Sequence, residues 1–135
     1  MKTIAFDFDG VIHKYSRGWL DGSIYDDINI EVLLYMKELL KKYSVVIYST
    51  RNPKQIIERL NKISIGLKYE ECKDIFWNKL NVIGVSNKKP TAILYIDDRG
   101  YRYIPELSTE LNIKMIDNVL KNLENIDNGR KKTFF

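Results

Sequence analysis

Residues 2–10 read Lys-Thr-Ile-Ala-Phe-Asp-Phe-Asp-Gly, and this stretch decides the fold. Its apolar part, residues 3–6, predicts a strand that is buried on both faces, as in a parallel sheet. Asp7 and Asp9 follow at a spacing of two, so both carboxylates leave the strand end on the same side. Two such charges repel each other unless a cation or a proton lies between them. Gly10 suits the sharp turn out of the sheet, because it has no Cβ.

The composition is that of an ordinary soluble globular protein, since 44% of the 135 residues are hydrophobic and 30% are charged. This length favours one domain, residues 1–127, followed by a basic tail, residues 128–135. No apolar run is long enough to cross a bilayer or to serve as a signal peptide. The only cysteine, Cys72, cannot form an intramolecular disulfide. We therefore expect a cytoplasmic protein without a membrane partner.

The formal net charge is +4, and Arg130, Lys131 and Lys132 in the tail account for three of these charges. A basic tail attracts polyanions weakly, and a solvated chain end is the more common explanation of such a run. Binding of nucleic acid by the tail therefore stays an open alternative.

Apolar strands alternate with amphipathic helices, which predicts a single-domain, doubly wound parallel α/β sheet of the Rossmann-like type. After a long loop, residues 11–26, a helix capped by Asp27 or Asn29 is expected to run to about Lys42. The further elements expected are strand 44–48, a helix from Asn52-Pro53 to about Ser64, a segment 67–81 in which Phe76 and Trp77 favour a helix, strands 81–85 and 92–96, a short strand 101–104, and a closing helix 113–126 with Ile116, Val119, Leu120 and Leu123 inward.

Polar side chains follow the predicted strands, at the edge of the sheet where ligands of parallel sheets bind. Clustered carboxylates there suit a hard divalent cation such as Mg²⁺. A hydroxyl and a lysine suit the oxygens of a phosphoryl group, whose charge such groups offset. One carboxylate can attack phosphorus, and a second carboxylate two residues on can transfer protons. The side chains concerned are Asp7, Asp9, Ser49, Lys89, Asp97 and Asp98.

In this order, the segments 7–10 (Asp-Phe-Asp-Gly), 49–51 (Ser-Thr-Arg), Lys89 and 97–99 (Asp-Asp-Arg) resemble the four motifs of the haloacid dehalogenase (HAD) superfamily of phosphohydrolases. The resemblance covers about residues 2–102, and the first and fourth motifs together are its specific part. The residues that it implies are Asp7 and Asp9 for catalysis; Ser49, Thr50, Arg51 and Lys89 for the substrate phosphate; and Asp7, Asp9, Asp97 and Asp98 for Mg²⁺.

Within this resemblance, Asp7 is the nucleophile and Asp9 the acid/base, and the backbone carbonyl of Asp9 is also expected to bind the metal. Ser49 is the phosphate-binding hydroxyl and Thr50 its fallback. Lys89 is preferred over Lys88 because it precedes Asp97 by eight residues, and this spacing resembles that of small family members. Family members that catalyse dehalogenation lack the second aspartate, so the resemblance implies a phosphatase or phosphotransferase.

The spacing of the motifs leaves no room for a cap domain. An open site admits large substrates, including a nucleic-acid end, although a partner subunit is an alternative cover. The loop 11–26, with Trp19 and Tyr25, is the only candidate lid. His13, the single histidine, is expected to be a bystander more often than a substrate contact.

The sequence therefore predicts a Mg²⁺-dependent phosphohydrolase that cleaves a phosphate monoester through an aspartyl-phosphate. Its substrate is a nucleotide, a sugar phosphate or a polynucleotide end. A phosphoacceptor signalling domain of the receiver type is a weaker alternative, because there the acidic pair comes on the first strand and the phosphorylated aspartate on the third. A non-catalytic scaffold that retains the metal site is a further alternative.

Overall fold

The computed structural model describes residues 2–134, with side chains described as far as residue 125. Its elements are β1 (Thr3–Asp7), α1 (Ile30–Leu39), β2 (Ser44–Tyr48), α2 (Pro53–Asn61), β3 (Tyr69–Glu71), β4 (Ile83–Ser86), β5 (Leu94–Ile96) and α3 (Thr109–Phe134). The strands of this part form one parallel sheet in the order β3-β4-β2-β1-β5. The predicted α/β class with a parallel sheet is confirmed, and the architecture is consistent with a Rossmann-like fold.

The chain divides into two compact units, one up to Asp98 and one from Arg99 onward. The first unit contains the whole sheet with α1 and α2, and the second contains α3. Among the helices of residues 2–134, none has the length and apolar character that crossing a bilayer requires.

Strand β1 lies between β2 and β5, which are the next strand and the last strand along the chain. It pairs with β2 from Thr3↔Ser44 to Asp7↔Tyr48, and on its other side with β5 from Ile4↔Leu94 to Phe6↔Ile96. The strand order therefore reverses between β1 and β5. In open parallel sheets, this switch point at the carboxyl ends of the strands is where ligands bind.

Both helices of the first unit cover the same face of the sheet. Leu33 and Met36 of α1 belong to one buried cluster with Ile56 and Leu60 of α2. The connections β1–α1–β2 and β2–α2–β3 progress in the same direction across the sheet, and right-handed crossovers then put both helices on one face. Within residues 2–98, α1 and α2 therefore both lie on one face of the sheet. The strand residues of this cluster are Ile4, Phe6, Val45, Ile47, Ile83 and Val85.

The opposite face is covered by an irregular segment, residues 72–82. Trp77 is buried there, and its indole lies so close to Gly84 that a Cβ on that glycine would be 2.6 Å from Cδ2 of the ring. The carbonyl of Trp77 accepts hydrogen bonds from the hydroxyls of Thr3 (2.7 Å) and Ser44 (2.9 Å). The predicted helix in 67–81 is therefore wrong, because tertiary hydrogen bonds and the short strand β3 take its place.

The two predicted helix starts are confirmed in detail. Asn29, one of the two candidates, caps α1 by accepting the N–H of Val32 at 3.3 Å. Asn52 caps α2 by accepting the N–H of Lys54 at 3.0 Å, and a proline follows it at the first helical position. The helices end at Leu39 and Asn61, three residues earlier than predicted in each case.

In the second unit, residues 101–104 form no strand. The side chain of buried Asn112 instead binds both backbone groups of Ile104, each at 2.9 Å. Helix α3 is longer than predicted, and Val119, Leu120 and Leu123, expected inward, are exposed. Most of the predicted tail 128–135 lies in the described backbone of α3, whereas its side chains lie outside the described residues.

Candidate functional site

Three carboxylates meet at the switch point of the sheet. Asp7 is the last residue of β1, and the register that pairs Phe6 with Ile96 brings Asp97 alongside Asp7 one residue later. Asp7, Asp97 and Asp98 each offer an oxygen within 4.8 Å of the others. Gly10, with φ +87°, turns the chain directly against Asp98, because any Cβ at this position would overlap the Asp98 carboxylate.

The position of Asp7 disfavours its negative charge. Burial raises the pKa of Asp7 to about 7, and the charges of Asp97 and Asp98 add to this rise. The N–H of Phe8 donates to Oδ1 of Asp7 at 2.8 Å, and this hydrogen bond by itself lowers the pKa of Asp7. A half-buried carboxylate with two carboxylate neighbours is the all-oxygen donor set that hard divalent cations prefer, so these residues fit Mg²⁺.

Asp9 lies outside this group of carboxylates, as far as the described residues reach. Both oxygens of its carboxylate accept a hydrogen bond from Nε–H of Arg51, Oδ1 at 3.1 Å and Oδ2 at 2.8 Å. Oδ1 also forms a hydrogen bond with Nδ1 of His13 at 2.8 Å. The side chains of Arg51 and His13 are fully buried, while that of Asp9 is 19% exposed. Two buried side chains thus contact the Asp9 carboxylate, which itself keeps a small exposed fraction.

The hydrogen bonds of His13 determine its tautomer. The backbone N–H of Asp26 donates to Nε2 at 3.0 Å, so Nε2 carries the lone pair. The proton of the neutral ring then lies on Nδ1 and is donated to Asp9. No sequence pattern favours this role of His13 over that of a bystander, because the only signal is that His13 comes four residues after Asp9, beyond the glycine turn.

Arg51 connects Asp9 to the loop between β1 and α1. Its Nη1 donates to the carbonyl of Gly22 at 2.5 Å and to Oε1 of Gln55 at 3.4 Å. Its Cζ lies 4.5 Å from the centroid of the Trp19 ring. Nη2 is buried and has no hydrogen-bond partner among the described residues. Arg51 was predicted to bind phosphate, and Nη2 is the part of its guanidinium that remains for such a ligand.

The loop itself is extensively hydrogen bonded. The hydroxyl of Tyr25 accepts the N–H of Arg17 and donates to the carbonyl of Gly18, both at 2.8 Å. The carboxylate of Asp26 accepts the hydroxyl (2.5 Å) and the N–H (2.9 Å) of Ser16. The Ser16 hydroxyl bond is the main reason that the pKa of Asp26 falls to about 2. These hydrogen bonds join the two halves of the loop that is the candidate lid.

The predicted phosphate-binding hydroxyl follows the neighbouring strand. Tyr48, the last residue of β2, pairs with Asp7 on one side and with Ser86 on the other. Ser49 comes next and is buried, and its Oγ accepts the N–H of Arg51 at 3.2 Å. Its fallback, Thr50, is exposed.

The candidate lysine lies beyond β4. Lys89 is exposed, and its Nζ lies 4.9 Å from the ring centroid of Tyr95, which precedes Asp97 by two residues in β5. The alternative, Lys88, directs its ammonium to the carbonyl of Lys73 at 3.4 Å. The phosphate contacts of Ser49, Thr50, Arg51 and Lys89 stay predictions.

Comparison of the chain with protein-family models, with curated proteins and with solved structures gave no match. A fold does not by itself imply a function, whereas the geometry of the site limits the chemistry that its residues can perform.

Proposed function

We propose that this protein is a Mg²⁺-dependent phosphomonoesterase of the HAD type, acting on a phosphorylated small molecule or a nucleic-acid end. The observation that carries the proposal is the grouping of Asp7, Asp97 and Asp98 at the switch point of the parallel sheet. A second carboxylate, Asp9, follows the nucleophile candidate by two residues and is oriented by Arg51 and His13.

Asp7, Asp97 and Asp98 are the side chains that would hold Mg²⁺, and the backbone carbonyl of Asp9 is a further candidate ligand. When bound, the cation would offset the negative charge of the phosphoryl group and of the carboxylates around it. The fit rests on the donor set, which consists of carboxylate oxygens from two adjacent strand ends.

In the first step, an Asp7 oxygen forms a bond to phosphorus while the bond between phosphorus and the ester oxygen breaks. Asp9, in its acid form, gives its proton to the departing oxygen, and the alcohol leaves. In the second step, water attacks phosphorus, Asp9 takes the proton of that water, and the bond between Asp7 and phosphorus breaks. Inorganic phosphate is released, and both aspartates return to their starting state.

The oxygens of the phosphoryl group need donors. The Ser49 hydroxyl, the Lys89 ammonium and Nη2 of Arg51 are the candidates. Nη2 is buried and lacks an acceptor among the described residues, and a phosphoryl oxygen that reached it would supply one. Thr50 is the substitute for Ser49 if the phosphoryl group lies nearer the exposed side of the β2 end.

The test is phosphate release from a panel of nucleotides, sugar phosphates and 3′- or 5′-phosphorylated oligonucleotides, with and without Mg²⁺. The wild-type chain is compared with Asp7→Asn and with Glu58→Gln, a control that removes an exposed carboxylate of α2. We expect Mg²⁺-dependent release that Asp7→Asn abolishes and Glu58→Gln preserves, and a phosphate-labelled intermediate that is absent from Asp7→Asn.

Near-normal activity of Asp7→Asn would contradict the assignment of the nucleophile. Silence across the whole panel, with Mg²⁺ still bound, would favour the alternative of a non-catalytic or phosphoacceptor domain. Asp97→Asn tests the metal-binding role on its own. We expect this variant to need a higher Mg²⁺ concentration for activity than the wild type.

A further inference from the structure

Trp19 presents an exposed aromatic surface next to the buried cation of the site. Its ring centroid lies 4.5 Å from Cζ of Arg51, and 52% of the residue is exposed. Arg51 donates to Asp9 at 2.8 Å, so the indole lies two contacts from the carboxylate to which we assign proton transfer. The indole contacts the guanidinium and, through Cζ2, Cε2 and Nε1, Gly22, and about half of the residue remains exposed.

The backbone of the loop holds the indole in this position. Gly22, with φ +82°, is packed against it, since a Cβ there would lie 2.8 Å from Cζ2 of Trp19. The N–H of Gly22 donates to the carbonyl of Trp19 at 2.8 Å, and its own carbonyl accepts Nε2 of Gln55 at 2.8 Å as well as Nη1 of Arg51. A ring fixed in this way loses little conformational entropy when a ligand stacks on it.

We propose that the exposed part of the Trp19 ring stacks on the base of a nucleoside, which makes the phosphomonoesterase selective for nucleoside phosphates. This inference rests on the proposed function and names its substrate class. A nucleobase is planar, and stacking on an aromatic side chain covers apolar surface of both rings. Trp19 contacts Arg51, and Arg51 contacts Asp9, so the stacked base would be held on the same arginine that orients the proton-transfer candidate.

The test compares two substrates that differ only in the base, adenosine 5′-monophosphate and ribose 5-phosphate. We expect wild-type kcat/KM to favour the nucleotide by roughly ten-fold, within the range that base–aromatic stacking supplies. Trp19→Ala should bring this ratio close to one, and Trp19→Phe should give an intermediate ratio. Any loss through a disturbed Arg51 affects both substrates and cancels in the ratio. Phe76→Ala, which removes an aromatic side chain that is 64% exposed, should leave the ratio unchanged.

Binding to the Asp7→Asn variant in Mg²⁺, measured by calorimetry, separates this inference from the proposed function. We expect the nucleotide to bind more tightly than ribose 5-phosphate, and this difference to be lost in Asp7→Asn/Trp19→Ala. This result would support stacking on Trp19 even if the wild type hydrolyses neither compound. Equal binding of the two compounds, no binding of either, or a preference that persists without Trp19 would overturn it. A 5′-phosphorylated oligonucleotide added as a third ligand distinguishes a free nucleotide from a polynucleotide end, since both present the same base and phosphate.

Discussion

Nε of Arg51 donates to both carboxylate oxygens of Asp9, at 3.1 Å and 2.8 Å, although 42 residues separate the two in sequence. The arginine follows β2 and is 2% exposed, whereas the aspartate follows β1 and its side chain is 19% exposed. A buried guanidinium has a large desolvation cost, which only a well-placed anion and further hydrogen bonds offset. Asp9 is therefore a structural partner of Arg51 as well as a candidate catalytic group.

Arg51→Gln should lower the free energy of unfolding by about 3 kcal/mol, the lower end for breaking a buried ion pair, because Asp9 retains some contact with solvent. Urea unfolding measures the effect, and Arg59→Gln on α2 is the matched control. The double variant Asp9→Asn/Arg51→Gln should be less destabilised than the sum of the single variants, since neither charge is left alone. Strict additivity would show that the pair does not couple.

His13→Phe should lower the free energy of unfolding by about 2 kcal/mol, because the partly buried N–H of Asp26 loses its acceptor. It should also lower kcat more than it raises KM, because Asp9 loses the donor that orients it. His13→Gln, which offers both a donor and an acceptor, should recover part of each loss. If His13→Phe changed stability alone, the histidine would have only a structural role.

Gly10→Ala should weaken Mg²⁺ binding by roughly ten-fold or more, because the added Cβ displaces the Asp98 carboxylate. Gly18→Ala is the matched control. It introduces the same left-handed strain, at φ +73°, with no atom within 4 Å of the new Cβ. Calorimetric titration of Mg²⁺ into both variants measures the difference, and equal affinities would contradict the contact between the glycine turn and Asp98.

The pKa of about 7 for Asp7 predicts how the stability of the metal-free protein depends on pH. Between pH 3.8, the ordinary pKa, and about 7, the folded state binds more protons than the unfolded state, so this group lowers stability as the pH rises. Added Mg²⁺ should therefore raise Tm more at pH about 8 than at pH about 5, since metal and proton compete for the carboxylates.

Thermal unfolding across this pH range, with EDTA or with Mg²⁺, measures the prediction. Asp7→Asn should remove most of the decline in the metal-free protein, because the amide does not titrate. A slope that is the same in Asp7→Asn would assign the pH dependence to other groups.

Much of the fold was predictable because its signals are local. The apolar runs of β1 and β2 predicted buried parallel strands, and Asn29 and Asn52 marked the starts of two helices through side chains that bind the backbone close by. The segment 67–81 was not predictable in this way. Its two aromatic residues suit a helix, but Trp77 is held by hydroxyls on β1 and β2, so the information lies in distant parts of the chain.

The candidate site divides in the same manner. Asp7, Asp97 and Asp98 could be expected to meet because parallel strands end at one edge, and they do meet. The partners of Asp9 could not be expected. The family resemblance assigns Arg51 to the substrate phosphate, and no periodicity relates Arg51 or His13 to the Asp9 carboxylate.

The sequence by itself determined the parallel α/β class, the ends of the strands and the acidic residues that follow them. These depend on side-chain alternation, helix caps and the period of apolar residues, all of which act over a few positions. The tertiary structure alone decided that α1 and α2 share one face, that an irregular segment covers the other, and that Asp9 is paired with Arg51 and His13. Packing and ion pairing join residues that are close only after the chain has folded, so no local pattern encodes them.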